Sequence, residues 1–345
     1  MPASRRATSG ADDTDPIGGF FGLETPGRAG SRADFGPGHR LDFWNARAAL
    51  AHLFAVEGVR RVWLPAYICR AAAEAADRDG REVRFYAVGD ALTPEGADVA
   101  AQLRRGDAVL GVDYFGAPRG ALPELAARFP DVVWVQDRAQ ALWPEPAPWG
   151  RHVLYSPRKM VGVADGGVLV SGERLAPPLW APDEDLSRLE PARMRAADPT
   201  GARRDVWFPA YRATEAAMDV APRPMSEVSH RILDALDRPA IAEARRRNAE
   251  CLLEQVGEHA LFDATRLLAG APLGVPVLTD DAGAVAARMA ERRVFCARHW
   301  ADLPSPAAEF TAEHALSRRL LTLPCDHRYD AADMARVADT FLACR

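Results

Sequence analysis

Residues 132–170 read VVWVQDRAQALWPEPAPWGRHVLYSPRKMVGVADGGVLV. The stretch opens on an apolar, β-branched run that ends at Gln136 and Asp137. A short run of this kind reads as a buried strand. In an open α/β sheet, ligands are met outside the carboxyl ends of the strands, which is where Asp137 falls. Gln140, one turn further on, can present its side chain to the same ligand. The plainer reading of this D-x-x-Q is an aspartate capping the next helix. The stretch closes on Ser156, Lys159, an Asp165-Gly166-Gly167 turn and the apolar run Val168-Leu169-Val170. Of the 43 basic residues in the chain, Lys159 is the only lysine. A sequence that uses arginine for every other cation keeps an amine where a guanidinium will not serve. Arginine stays protonated, whereas an amine can lose its proton and form a Schiff base. The alternative is an ordinary hairpin with an exposed Lys159.

Outward from this stretch the pattern alternates. Strand-like runs lie at 62–68, 83–88, 108–115 and 132–137, separated by helical stretches at 71–77, 96–105 and 122–129. A further helix starts after Asn45. Such alternation implies a mostly parallel sheet covered by helices. Residues 172–226 carry prolines and charges without a clear period and read as a surface excursion or an intersubunit contact. A long helix from about Ser226 to Val256, interrupted at Pro239, leads into a second α/β unit. That unit has strands at 272–280, 294–300 and 321–324 and helices at 282–293, 313–321 and 331–343. The expected division is a mobile polar arm over 1–16, a large ligand-binding domain over 17–230 and a small C-terminal α/β domain over 231–345. Gly18-Gly19-Phe20-Phe21-Gly22 reads as a docking segment rather than an element.

The 345 residues suggest about two domains. A chain of this length, 48% apolar, buries a core without a metal or disulfide staple. The net charge of −5 argues against a dedicated nucleic-acid binder. No run of 18 apolar residues suggests a membrane span, and the N-terminus lacks the apolar region of a secretory signal. Five scattered cysteines form no C-x-x-C pair, so no metal site is expected and a reducing cytoplasm is the simplest home.

Three clusters gain force when placed on one ligand. Asp137 and Gln140 form the first, Ser156 and Lys159 the second. The third is Asn45-Ala46-Arg47 at a helix start, where free backbone N–H groups favour an anion; by default Arg47 is a surface residue. A planar phosphorylated aldehyde needs a lysine, a carboxylate for its ring nitrogen, donors for its phosphate and an aromatic neighbour. Pyridoxal phosphate has that shape. A carboxylate beside the pyridinium keeps it protonated. A nicotinamide enzyme is the weakest contender, because no G-x-G-x-x-G follows the first strand.

With these residues in view, the sequence resembles the DegT/StrS-type aminotransferases of fold type I. VQDRAQAL is similar to that family's acidic-x-x-Gln motif, and YSPRKMVGVADGGVLV to its serine–lysine–glycine segment. GGFFGLE, NARAAL, LPAYIC, HWADL and LPCDHRY extend the likeness to both ends. The resemblance implies the α/β fold of type I transferases, pyridoxal 5'-phosphate as cofactor and a homodimer with sites at the interface. Lys159 would carry the cofactor as a Schiff base and move the proton. Asp137 would bind the ring nitrogen and Gln140 the phenolic oxygen, while Ser156 and the N–H groups of Ala46 and Arg47 would hold the phosphate. Tyr67 would stack on the ring, although Cys69 or a plain core role for Tyr67 fits as well. His299 and Arg328 are candidate substrate contacts, with a structural ion pair the alternative for Arg328. Arg245-Arg246-Arg247 reads as a solvated helix face. The Gly-Thr or Gly-Ser turn of many members is replaced by Ala46-Arg47, and the segment that reaches the partner's cofactor has no clear counterpart in 190–225. The implied reaction is transfer of an amino group, from glutamate by analogy, to a carbonyl acceptor such as a nucleotide-linked keto sugar. A lyase, decarboxylase or oxidase using the same cofactor, or a silent regulatory homologue, are the alternatives. Members that replace the lysine by histidine are sugar dehydratases, and Lys159 argues against that branch.

Overall fold

The computed structural model describes residues 15–25, 32–94, 96–117, 120–144, 147–181 and 186–345. Most of the expected arm, residues 1–14, lies outside them. The chain begins with the short strand β1 (Ile17–Gly18), then β2 (His39–Phe43) and helix α1 (Ala46–Val56). There follow β3 (Arg61–Pro65), α2 (Arg70–Asp77), β4 (Glu82–Tyr86), α3 (Ala97–Ala100), β5 (Ala108–Val112), α4 (Leu122–Arg128) and β6 (Val133–Asp137). Next come β7 (His152–Tyr155) and β8 (Gly167–Ser171). Strands β2 to β8 form one sheet in the order β2-β8-β7-β6-β5-β3-β4. The pairs from β4 through β7 are parallel, and β8 runs antiparallel to both its neighbours. The mostly parallel sheet expected from the alternation is therefore present, with one reversed strand. β3, β5, β6 and β8 are buried along their whole length, which is why they read as continuous apolar runs rather than alternating ones.

Residues 172–226 differ from the expectation, for they contain helices α5 (Glu190–Ala196) and α6 (Arg204–Ala217). α6 carries Pro209 in its interior and buries only Trp207, so it has no apolar stripe by which its period could be seen. The helix expected from Ser226 is two, α7 (Glu227–Ala235) and α8 (Arg238–Val256). The break precedes Pro239, which sits in the first turn of α8, where its missing N–H costs nothing.

The C-terminal part places α9 (Ala264–Leu268), β9 (Gly274–Leu278), α10 (Ala282–Glu291), β10 (Val294–Phe295), α11 (Thr311–Arg319), β11 (Leu320–Pro324) and α12 (Ala331–Cys344) in sequence. β9 and β11 pair antiparallel, and α8 and α12 pack together. The strand expected over 294–300 shrinks to β10, whose partner is β1, in parallel. The docking segment is thus partly an element. Gly18 makes the contact possible: a Cβ there would lie 2.1 Å from the carbonyl oxygen of Phe295. Among the described residues no helix is long and apolar enough to cross a membrane.

Candidate active site

β3, β5, β6 and β7 are parallel neighbours in the sheet, so their carboxyl ends share one edge. Asp137 is the last residue of β6, and Asp113 follows β5. Ser156 follows β7 and leads into a single turn, Pro157–Lys159, where the Lys159 N–H donates to the Ser156 carbonyl at 3.0 Å. Asp137 and Lys159 are brought together here. Burial pushes the Asp137 carboxyl above its ordinary pKa; the Lys159 charge and the Ala139 N–H, bonded to Oδ1 at 2.8 Å, pull it back, and Asp113 adds to the rise. A cation set against Asp137 would restore its charged form. Asp113 is held from behind by Gln136 Nε2 at 2.8 Å and Arg138 Nη1 at 2.6 Å.

Gln140 is the most telling member. Its Oε1 accepts the Phe115 N–H at 2.8 Å, while its buried Nε2 has no hydrogen-bond partner among the described residues. An unmet buried donor costs about 1–3 kcal/mol, so it fits an acceptor atom on a ligand. The helix start at Asn45 is built for the same face. Asn45 Oδ1 accepts the Ala48 N–H at 2.8 Å and Nδ2 donates to the Asp219 carbonyl at 3.1 Å. Ala46 and Arg47 form the first turn of α1. The Arg47 side chain points into the protein, donating to the Met218 carbonyl at 2.9 Å and meeting Glu74 at 3.4 Å. Gly167 in the Asp165-Gly166-Gly167 turn admits backbone rather than a ligand, since it abuts Asn45 and Ala46, while Gly166 faces the side chains of Met225 and Pro157. Asp165 is structural, accepting from Arg188 Nε at 2.9 Å and from Ser226 Oγ at 2.9 Å.

Tyr67 and Arg328 make the contacts of the plainer of the two readings each was given. Tyr67 is fully buried against Tyr114 and Trp300, and its hydroxyl donates to the His299 carbonyl. These are the contacts of a core strut. Cys69, two residues on and at the N-cap of α2, is the one that feels Lys159, Asp137 and Arg47 together; burial pushes its thiol up. Arg328 forks onto Asp326, with Nε–Oδ1 at 2.7 Å and Nη2–Oδ2 at 2.9 Å, and also reaches the Gly19 carbonyl at 3.3 Å. Its donors are spent on structure. Arg245 is no part of a solvated face: it has no exposure and donates to the carbonyls of Met160 at 2.5 Å and Pro272 at 3.0 Å.

A cavity of about 580 Å³ opens beside Lys159. His299 lines it; burial and the Lys159 charge lower its pKa to about 3, so it stands neutral, with Nδ1 and Thr322 Oγ1 2.9 Å apart. The opposite wall comes from α6, which sequence reasoning missed. There Glu215 pairs with Arg158 through two hydrogen bonds, Nη2–Oε2 at 3.0 Å and a shorter Nη1–Oε1. Tyr211 stacks on Phe20 with ring centres 4.0 Å apart. The only sequence signal for this wall was the aromatic density of 207–211.

No protein-family model matches the chain, and no curated protein matches it. Solved structures do. Spr1654 from Streptococcus pneumoniae in its PLP-form matches with a TM-score of 0.69 at 12% identity, covering 95% of this chain and 98% of that one. A DegT DnrJ EryC1 StrS aminotransferase from Brucella abortus matches with a TM-score of 0.63 at 15% identity, over 90% and 86%. The fold is that of the DegT/StrS-type aminotransferases of fold type I. DesI, crystallised in the presence of its TDP-sugar product, shares it with a TM-score of 0.64 at 22% identity, over 89% and 80%.

Proposed function

We infer that the protein is a pyridoxal-phosphate-dependent aminotransferase. The observation that carries this is the convergence, at the carboxyl edge of one sheet, of the sole lysine, a buried carboxylate and a buried amide donor that has no partner among the described residues. Bound there, the cofactor supplies an aldehyde that takes up an amine and a ring that withdraws electrons from the adjoining carbon. Lys159 Nζ would hold the aldehyde and move the proton, as an amine can and a guanidinium cannot. Asp137 would pair with the ring nitrogen, a contact its buried setting would strengthen. Gln140 Nε2 would donate to the phenolic oxygen. Ser156 with the N–H groups of Ala46 and Arg47 would hold the phosphate, using the positive end of α1. The half-buried cavity wall of α6 and His299 surrounds the substrate.

The amino donor is glutamate and the acceptor a keto sugar linked to a nucleotide. Support for the acceptor comes from the shared fold of DesI, solved with a TDP-sugar product, and from Arg204 in the cavity lining, whose guanidinium suits a diphosphate. The protein works as a homodimer in the cytoplasm. The test is reconstitution with pyridoxal phosphate, borohydride reduction and peptide mass spectrometry. The expected result is cofactor attached at Lys159 and one equivalent of 2-oxoglutarate released on adding glutamate, both absent in Lys159→Ala. Cofactor that adds elsewhere or not at all would overturn the reading.

A further inference from the structure

At the opposite edge of the large sheet, three side chains far apart in sequence converge. Glu57 caps the C-terminal end of α1, His152 opens β7 and Glu173 follows β8. One ligand atom from each lies within 4.8 Å of the other two. We propose that Glu57, His152 and Glu173 form a binding site for one divalent transition-metal ion of the zinc class.

His152 is the reason to read a site into this cluster. It has no exposure, and its buried Nε2 has no hydrogen-bond partner among the described residues, yet faces Glu57 Oε1 at 3.6 Å. Its Nδ1 lies 3.1 Å from Ser171 Oγ. That hydroxyl can accept an Nδ1 proton, and in this tautomer the Nε2 lone pair is free for a metal, the arrangement metal-bound histidines show. One nitrogen and two carboxylate oxygens are a ligand set zinc accepts, with water in the fourth position. Tetrahedral ligands at zinc distances stand about 3.3 Å apart, so the carboxylates need only close in by an ångström or so. Glu173 is half exposed and free to do this.

Arg151 is the resident competitor. Its guanidinium bonds Glu173 and lies 3.7 Å from Glu57, balancing the same two charges the metal would. It is 42% exposed and can turn to solvent when a metal enters. Bound metal would tie α1 to β7 and β8 at the end of α1 remote from Ala46, about 16 Å along the helix, and so brace the element that carries the proposed phosphate cradle.

The experiment is zinc titration of the chelator-stripped full chain by calorimetry, with unfolding temperature measured alongside. One zinc per chain and a raised unfolding temperature are expected in the parent. Glu173→Ala, on the surface and with no side-chain partner beyond Arg151 among the described residues, should weaken binding at least about 10- to 100-fold, the cost of losing even an outer partner of a ligand, and His152→Gln should do the same. Failure of the parent to take up stoichiometric zinc, or equal uptake by Glu173→Ala, would overturn the proposal. The result does not depend on the cofactor or the reaction.

Discussion

Replacing Gly167 by alanine tests how the cofactor site is built. Gly167 opens β8 directly beneath the first turn of α1, and a Cβ on it would lie 2.2 Å from the carbonyl carbon and oxygen of Asn45 and 2.3 Å from the Ala46 nitrogen. All three are backbone atoms, so no side chain can swing aside. Restoring ordinary contact at 3.4 Å moves the start of α1 by ~1.2 Å. Overpacking of this kind costs about 1–3 kcal/mol of stability. The larger effect falls on the N–H groups of Ala46 and Arg47. Loss of one charge-assisted bond to phosphate is worth about 1.5–3 kcal/mol, a ten- to hundred-fold rise in the cofactor's Kd at about 1.4 kcal/mol per decade. The assay is a spectroscopic titration of apoprotein with pyridoxal phosphate, beside a denaturant unfolding curve. Gly172→Ala is the control: at the far end of the same strand its Cβ meets only the Arg151 carbonyl, at 3.6 Å, and both readouts should match the parent. If Gly167→Ala binds the cofactor as tightly as the parent, the helix start does not hold the phosphate and the proposed cradle is wrong.

Other substitutions probe the residues that the structure reassigns. Arg245→Met strips donors from the buried carbonyls of Met160 and Pro272; after relief of the buried charge the net loss should be about 3 kcal/mol, read by urea midpoint, and a neutral change would refute the clamp. Arg328→Ala should destabilise by about 2–3 kcal/mol, because the buried Asp326 loses its guanidinium partner and keeps only the backbone N–H of residue 328 and the more distant charge of Arg245, while leaving the KM for the acceptor unchanged; a raised KM at constant stability would return it to the substrate site. His152 predicts the acid limb of stability in zinc-free buffer. With its pKa lowered from 6.5 to about 4, both states are neutral above 6.5, and between the two values only the unfolded chain takes up a proton. Stability therefore falls as pH drops through that window, by ~3 kcal/mol in all, and His152→Gln should flatten it. A parent whose urea midpoint holds steady down to about 4 would contradict the buried, neutral imidazole.

The parts of the site that lie in continuous apolar strands or just after them were legible. Asp137, Gln140, Ser156 and Lys159 sit at the ends of β6 and β7 where strand periodicity and turn residues announce them. α6 was not, because a helix that buries a single tryptophan and carries a proline has no apolar stripe to betray it. The buried setting of Arg245, and the choice between the two readings of Arg328, were not legible for a related cause. A guanidinium can be buried wherever it finds carbonyls or a carboxylate, and nothing in the local sequence distinguishes that from a solvated face.

Local order in the chain therefore determined the sheet, its parallel sense and the pairing of a lone amine with an acid, since these rest on burial patterns and turn chemistry within a few dozen residues. Only the tertiary structure decided that Tyr67 is a strut and Cys69 the neighbour of Lys159, that α6 walls the cavity, and that Glu57, His152 and Glu173 meet. Each of those depends on contacts between residues tens to hundreds of positions apart, set by how strands and helices stack rather than by any spacing along the chain.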